Sequence, residues 1–126
     1  MSYHQLSNGV QILRQLSDIK SWQDTLLWQP FREGVDIFRL YGDGLYGPTA
    51  ALLRYREGAA VLQHEHLGYE HILVLSGSQT DENGRMETGT LVVNPPGTKH
   101  SIVSEKGCIV LAIYEKPVKF QESPSP

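Results

Sequence analysis

The sequence predicts an all-β fold in a single domain, either a small barrel or a sandwich of two sheets. Short apolar or alternating runs recur along the chain and are separated by Gly, Pro, Asn or Asp, which is the pattern of strands joined by turns. Strand and helix patterns do not alternate, so a parallel sheet is not expected. A chain of 126 residues is long enough to bury one core but too short for two domains.

Seven segments carry the strand pattern. In chain order they are Val35–Tyr41, Thr49–Tyr55, Ala60–His66, Glu70–Ser76, Gly89–Asn94, Ser101–Ser104 and Cys108–Tyr114. The sequences Y-G-D-G-L-Y-G-P, D-E-N-G-R and N-P-P-G-T between them are typical of turns. Only Gln11–Thr25 could hold a helix, and its apolar spacing fits a strand equally well.

Several of these strands are apolar on both faces, as in I-L-V-L, L-V-V and I-V-L-A-I. One face can line the interior, and the other needs a cover. A second copy of the chain in a homodimer would provide it. Residues 1–30, folded back over the sheet, would provide it equally well.

Composition and charge exclude several function classes. The net charge is −3 and no basic stripe is present, which gives no support to nucleic-acid binding. Cys108 is the only cysteine, so an internal disulfide and a thiolate zinc cage are both excluded. No apolar run approaches the length of a membrane span, and the N-terminus is polar. A cytoplasmic protein with no membrane partner is therefore expected.

Four residues indicate a metal site. His64, His66 and Glu70 stand in H-E-H-L-G-Y-E, and His100 closes N-P-P-G-T-K-H. Residues two apart on a strand share a face, so the first two imidazoles should point the same way. Three imidazoles and a carboxylate suit Zn, Fe, Mn, Ni or Cu. His71 adjoins Glu70 and should face away from this set.

The spacing of these residues resembles both motifs of the cupin superfamily. Gly58 to Gly77 reads G-x5-H-x-H-x3-E-x6-G, and Gly89 to His100 reads G-x5-P-x-G-x-x-H. The second motif normally ends in Asn three residues later, where this chain has Val103. From Trp28 to Tyr114 the sequence is similar to the ChrR-type cupin, the C-terminal module of zinc-dependent anti-sigma factors.

This resemblance implies a double-stranded β-helix, or jelly-roll barrel, of six to eight conserved strands with the metal inside. It divides the chain into an N-terminal extension (1–27), a cupin barrel (28–117) and a C-terminal tail (118–126). The family's ligand positions carry over to His64, His66, Glu70 and His100. The resemblance favours zinc, and Fe(II), Mn(II) and Ni(II) stay open. Residues 1–27 are too short for the helical sigma-binding domain of that family, so direct sigma-factor binding is not expected.

Two classes of function remain open at this point. The first is a metal-binding regulatory module that responds to an unknown small molecule. The alternative is a small metalloenzyme, an Fe or Mn dioxygenase or an isomerase or hydrolase, acting on a small oxygenated metabolite. In an enzyme, Glu70 would be the candidate proton shuttle. A cupin with a purely structural role is a third option. Five strand residues could line the cavity, with no role assigned to any one of them: Arg54, Tyr55, Arg56, Tyr69 and Tyr114.

Overall fold

The computed structural model describes residues 2–120 and is dominated by antiparallel β-sheet. Its twelve described strands are β1 (Tyr3–Gln5), β2 (Gln11–Leu13), β3 (Gln29–Arg32), β4 (Val35–Tyr41), β5 (Thr49–Tyr55), β6 (Ala59–Glu65), β7 (Glu70–Asp81), β8 (Gly84–Glu87), β9 (Leu91–Asn94), β10 (Lys99–Ser104), β11 (Cys108–Tyr114) and β12 (Lys119–Phe120). One short α-helix, α1 (Ile19–Trp22), lies between 3-10 turns at Leu16–Asp18 and Gln23–Thr25. None of the helices in the described part has the length and apolar character needed to span a bilayer.

The main sheet contains ten strands in the order β12-β6-β10-β7-β11-β5-β4-β3, with β8 and β9 also paired to β7. The twelve-residue strand β7 joins the two halves of the barrel, because it pairs with β11 and β9 near its start and with β8 and β10 near its end. β6 and β7 follow one another in sequence but are separated by β10. The structure therefore confirms an all-β cupin-like fold. In it β10, the strand of His100, lies between β6 and β7.

Gly77 lets β7 continue past the point where the sequence predicts its end. Its φ of +78° is readily available only to glycine. A Cβ at this position would collide with the carbonyl oxygen of Gly107 on the neighbouring turn. A register irregularity in the β7–β11 ladder lies close by. β7 therefore bends at Gly77 and supplies both halves of the barrel.

Two apolar clusters lie on opposite sides of the sheet. The inner cluster lies inside the barrel and includes Val35, Val61, Val74, Ile102 and Val110. The outer cluster includes Ile19, Trp22, Leu26, Leu52, Leu75 and Ile109. Part of the outer face of the sheet is thus covered by the chain's own residues 19–26, which lie within the 1–30 segment of the intramolecular alternative given above. The homodimer stays a prediction.

The Gln11–Thr25 segment combines both conformations that its spacing allowed. It begins as β2, which pairs with β1, and ends in α1 and its flanking 3-10 turns. The indole Nε1 of Trp22 donates to the Gln15 carbonyl at 3.1 Å, which satisfies its polar atom while the ring packs on the sheet. At the other end of the chain, β12 pairs with β6, and the predicted tail beyond Phe120 lies outside the described residues.

The β6–β10 ladder is interrupted close to the candidate site. His100 lies opposite His64 and Lys99 opposite Glu65, but the next recorded pair is Ile102 with Val61. This register shift marks a bulge between His100 and Ile102. The two histidines therefore face each other where the backbone pairing of their strands is locally disrupted.

Candidate metal centre

The structure brings together the four residues that the sequence singled out. His64 lies on β6, His66 directly after it, Glu70 at the first position of β7 and His100 on β10. All four are buried, and their potential ligand atoms lie within 4.8 Å of one another. The imidazole ring centroids are separated by 4.5–5.3 Å. A set of four such groups in one place can hold a metal ion.

Backbone contacts set the positions of His66 and the turn that precedes His100. The His66 amide donates to the Thr98 carbonyl at 2.9 Å, and the Gly97 amide donates to the His66 carbonyl at 2.8 Å. Gly97 has a φ of +89°, as the predicted Pro-Pro-Gly turn requires. These bonds hold the turn against the end of β6 and bring His100 beside the other two histidines.

The hydrogen bonds of the three rings fix their tautomers. Nδ1 of His64 lies 2.9 Å from the Leu62 carbonyl oxygen, and Nδ1 of His100 lies 3.2 Å from a carboxylate oxygen of Asp81. Both oxygens can only accept, so each Nδ1 carries the proton. A neutral ring protonated at Nδ1 leaves the Nε2 lone pair free for a cation.

His66 reaches the same tautomer through a hydroxyl. The Thr98 hydroxyl donates to the Pro95 carbonyl at 2.7 Å, so it accepts from His66 Nδ1 at 2.9 Å. All three rings therefore donate through Nδ1 to an oxygen. Protein groups that hold metal-binding imidazoles in position characteristically make this kind of contact.

The Nε2 atoms of His66 and His100 are buried and have no hydrogen-bond partner among the described residues. Glu70 Oε1 lies 2.9 Å from His66 Nε2 and 3.9 Å from His100 Nε2. The shorter contact lacks hydrogen-bond geometry, so a proton on Nε2 would not point at the carboxylate. A free lone pair and a carboxylate at this distance repel unless a cation is shared between them. The residues present therefore fit a divalent metal.

The surroundings of the cluster favour its metal-binding protonation states. Burial lowers the pKa of the His64 imidazole below its ordinary value, which keeps the ring neutral. Asn94, at the end of β9, donates to Glu70 Oε1 at 3.3 Å. Glu70 and Asn94 are opposite each other in the β7–β9 ladder, so this contact follows from the strand register.

A cavity of about 230 Å³ inside the barrel adjoins the cluster, since His64 and Glu70 line it. Its other walls are mostly apolar. Of the five strand residues considered from the sequence, Tyr55 and Tyr114 line the cavity, whereas Arg54, Arg56 and Tyr69 do not.

Sequence reasoning missed several residues at or near this site. The supporting contacts of Asp81, Thr98 and Asn94 lie in turn or strand-end positions that carry no motif of their own. The cavity residues Arg32, Arg39 and Gln79 were also missed. An acidic residue opening D-E-N-G and a threonine in N-P-P-G-T-K-H were visible, but only the sheet order shows which histidine each one meets. His71 is exposed on the opposite face from Glu70, as expected.

Comparisons with known proteins agree with this architecture. The family model of the ChrR Cupin-like domain matches residues 17–118. Anti-sigma-E factor ChrR of Cereibacter sphaeroides is 38% identical over 73 residues, which make up 56% of this chain and 34% of that protein. The chain thus spans about a third of the length of this curated relative.

Solved structures show the same similarity. A chain in the crystal structure of Rhodobacter sphaeroides SigE in complex with the anti-sigma ChrR matches with a TM-score of 0.68 and 28% identity, over 82% of this chain and 57% of that chain. A putative acetylacetone dioxygenase of Methylibium petroleiphilum PM1 matches with a TM-score of 0.72 and 16% identity, over 82% and 83% of the two chains. At that identity the second match shows a shared fold alone.

Proposed function

Because this chain belongs to the ChrR cupin-like domain family, we propose that it is a metal-binding cupin that holds a single divalent ion on its four buried donors, His64, His66, Glu70 and His100. The observation that carries the proposal is the set of three rings that donate through Nδ1 to oxygens and leave Nε2 free beside Glu70. A purely structural cluster of histidines would have no need for this common tautomer.

Zinc is the ion we expect. Three imidazoles and one carboxylate can complete its tetrahedral shell, and the chain resembles the cupin module of zinc-dependent anti-sigma factors. The same donors around a six-coordinate Fe(II), Mn(II) or Ni(II) would leave two positions for other ligands. Metal analysis of the protein purified without added metal separates these identities.

Substitution of individual ligands tests the site itself. Purified wild-type protein should contain a single ion per chain, and His64→Ala and His100→Ala should each lose most of it. His71→Ala is the matched control, because His71 neighbours Glu70 but is exposed on the other face. Equal metal content in all four proteins would contradict the assignment.

We further propose that the cavity admits a small molecule and that its occupancy regulates the protein. This proposal is supported by His64 and Glu70, which belong to the four candidate metal ligands and also line the cavity, so a bound molecule would contact the ligand set. The curated relative is named an anti-sigma-E factor, and one of the matching solved structures is of SigE in complex with the anti-sigma ChrR. This chain resembles the cupin part of that protein, and we do not propose sigma-factor binding for it.

A small metalloenzyme is the second candidate, and the same cavity favours it. A divalent ion on these residues would supply Lewis-acid chemistry to a molecule in the cavity. Glu70, held at Oε1 by Asn94, would then move a proton to or from that molecule. Oxygen consumption and turnover with Fe(II)-loaded and zinc-loaded protein separate enzyme from regulator, and unchanged turnover in metal-loaded Glu70→Gln would dismiss the proton role.

A homodimer remains our proposal for the assembly. Leu91, Val93 and Ile113 lie on β9 and β11, on either side of β7, and all three are exposed. They adjoin the outer face that residues 19–26 cover only in part. Light scattering of the purified chain tests this, and a monomer at all concentrations would refute it.

A further inference from the structure

Two arginines at the edge of the cavity form no salt bridge within the described residues. Arg32 and Arg39 both line the cavity, and both are exposed at its opening. Within residues 2–120, the arginine ion pairs involve Arg54 and Arg85 but neither of these two. The cavity therefore opens beside two positive charges that form no salt bridge within the described residues, and Asp43 is the carboxylate near one of them, Arg39.

The guanidinium group of one of these arginines, Arg32, stacks on aromatic rings. The guanidinium carbon of Arg32 lies 3.9 Å from the ring centroid of Phe120 and 5.0 Å from that of Phe31. Stacking uses the face of the guanidinium and leaves its N–H edge free to bind a planar anion. The ring centroid of Phe120 lies 5.4 Å from that of His64, so the stacked Arg32 and Phe120 side chains lie next to the four candidate metal ligands. Partial burial lowers the pKa of Arg32, as expected for a charge drawn against the protein surface.

The second arginine is accompanied by a hydroxyl group. A Cβ built on Gly44 would lie 3.4 Å from the Tyr114 hydroxyl and 3.9 Å from Arg39 Nη2, so both groups lie close to Gly44 at the cavity rim. Asp43 is the nearby carboxylate, but its Oδ1 accepts from the Leu45 and Tyr46 amides at 2.8 and 3.1 Å. Asp43 therefore caps its own turn, and although its charge acts on Arg39 it forms no salt bridge with the Nη groups.

The interior beneath this rim is apolar and small. Its walls include Ile37, Leu53 and Ile72. At roughly 30 Å³ for each water-sized group, a volume of about 230 Å³ holds about eight such groups. Gln79 also lines the cavity and is 4% exposed.

We propose that the cavity binds a small monocarboxylate, with its carboxylate held by Arg32 and Arg39 at the rim and its apolar body inside the barrel. The proposal rests on the small-molecule binding proposed above and gives that ligand a chemical class. The monocarboxylate proposal does not depend on which metal is bound, because the carboxylate contacts the rim and not the four candidate metal ligands.

Calorimetric titration of the full chain with hexanoate tests this, because hexanoate has about eight non-hydrogen atoms and so matches the cavity. The comparison ligands are 1-hexanol and hexylamine, which have the same chain with neutral and positive heads. Hexanoate should bind, and both comparison ligands should bind at least tenfold more weakly. Equal binding of hexanol would overturn the proposal, because the arginines would then contribute nothing.

Variants locate the carboxylate. Arg32→Gln and Arg39→Gln should each weaken hexanoate binding about ten- to hundredfold, the range for a lost charge-assisted hydrogen bond. Lys at either position should restore it only in part, because the planar fork is lost. Arg85→Gln is the matched control, since Arg85 is exposed, forms its ion pair with Glu87 and does not line the cavity. Unchanged affinity in both glutamine variants with unchanged melting temperatures would overturn the assignment.

The same titrations after chelation separate this proposal from the metal proposal. Hexanoate binding that survives chelation and is lost in the arginine variants supports the rim site, even if metal analysis finds no ion. Binding that requires the metal and ignores Arg32 and Arg39 would place the carboxylate on the ion and overturn the inference. In that case the metal-binding proposal would stand.

Discussion

Replacing Asp81 by Asn should weaken metal binding about tenfold, because Asp81 orients His100. Its Oδ2 lies 3.2 Å from His100 Nδ1, and its Oδ1 accepts from the Asn83 amide at 2.7 Å. The Asp81 side chain is only 6% exposed, so water cannot readily take its place. A carboxylate in this position both fixes the tautomer of the imidazole and raises its basicity.

The expected size follows from what the amide can still do. Asn has a single oxygen, so it can serve His100 or the Asn83 amide but not both. A neutral acceptor is also about half as strong as a charged one. Loss of such a partner typically costs 10- to 100-fold in metal affinity, or about 1.4–2.8 kcal/mol. Asp81→Asn should lie near the lower limit and Asp81→Leu near the upper one.

Competition with a chromophoric chelator measures the affinity, and thermal melting in the presence of chelator checks the fold. Glu82→Gln is the matched control. It removes the same charge one residue away, where the carboxylate accepts from the Ser101 amide and hydroxyl and not from the His100 ring. An Asp81→Asn protein that binds metal within twofold of wild type would refute the reasoning.

Further outcomes follow from other contacts. Thr98→Val should lower metal affinity up to about tenfold and Thr98→Ser should not, because only the valine removes the acceptor for His66 Nδ1; chelator competition on both variants decides. Leu52→Ala should lower the free energy of unfolding in urea by about 2–5 kcal/mol, because Leu52 is fully buried under residues 19–26, and a loss below 1 kcal/mol would contradict that packing. Gly77→Ala should lower the free energy of unfolding by at least about 1–3 kcal/mol, the usual cost of a strained backbone conformation, because the new Cβ would meet the Gly107 carbonyl at a positive φ. An unchanged urea midpoint would contradict the bend. Burial raises the pKa of the Cys108 thiol above its ordinary 9.0, so the unfolded chain releases this proton first and the free energy of unfolding should fall as pH rises above about 9. In urea titrations at pH 8 to 10, Cys108→Ala should lose less of its free energy of unfolding than the wild type does.

The strands that the sequence predicted best are those rich in buried residues. Val35–Tyr41, Thr49–Tyr55 and Cys108–Tyr114 have the predicted bounds in the structure. β3 was missed because all four of its residues are exposed and it contains a proline. β8 was missed because apolar and polar residues alternate only weakly in it and two of its residues are charged. Its pairing also depends on β7 continuing past Gly77.

The four donors of the candidate site were visible in the sequence because their spacing follows both cupin motifs. Their supporting contacts were not, since they depend on strand order. Asp81 meets His100 only because β10 lies between β6 and β7, and local sequence does not encode that neighbour. The arginines at the rim were hidden for the same reason, since Arg32 and Arg39 come from two strands that carry no motif.

The bulge between β6 and β10 has a consequence for how the fold would respond to the loss of a bound metal ion. His64 and His100 face each other at the point where hydrogen bonding between the strands is interrupted. A cation shared by the two rings would act there as a cross-link between segments far apart in the chain, and closing so long a loop would remove entropy from the unfolded state. Chelation should therefore loosen this edge of the barrel first, with amide protons of β6 and β10 exchanging faster while those of β5 and β11 stay protected.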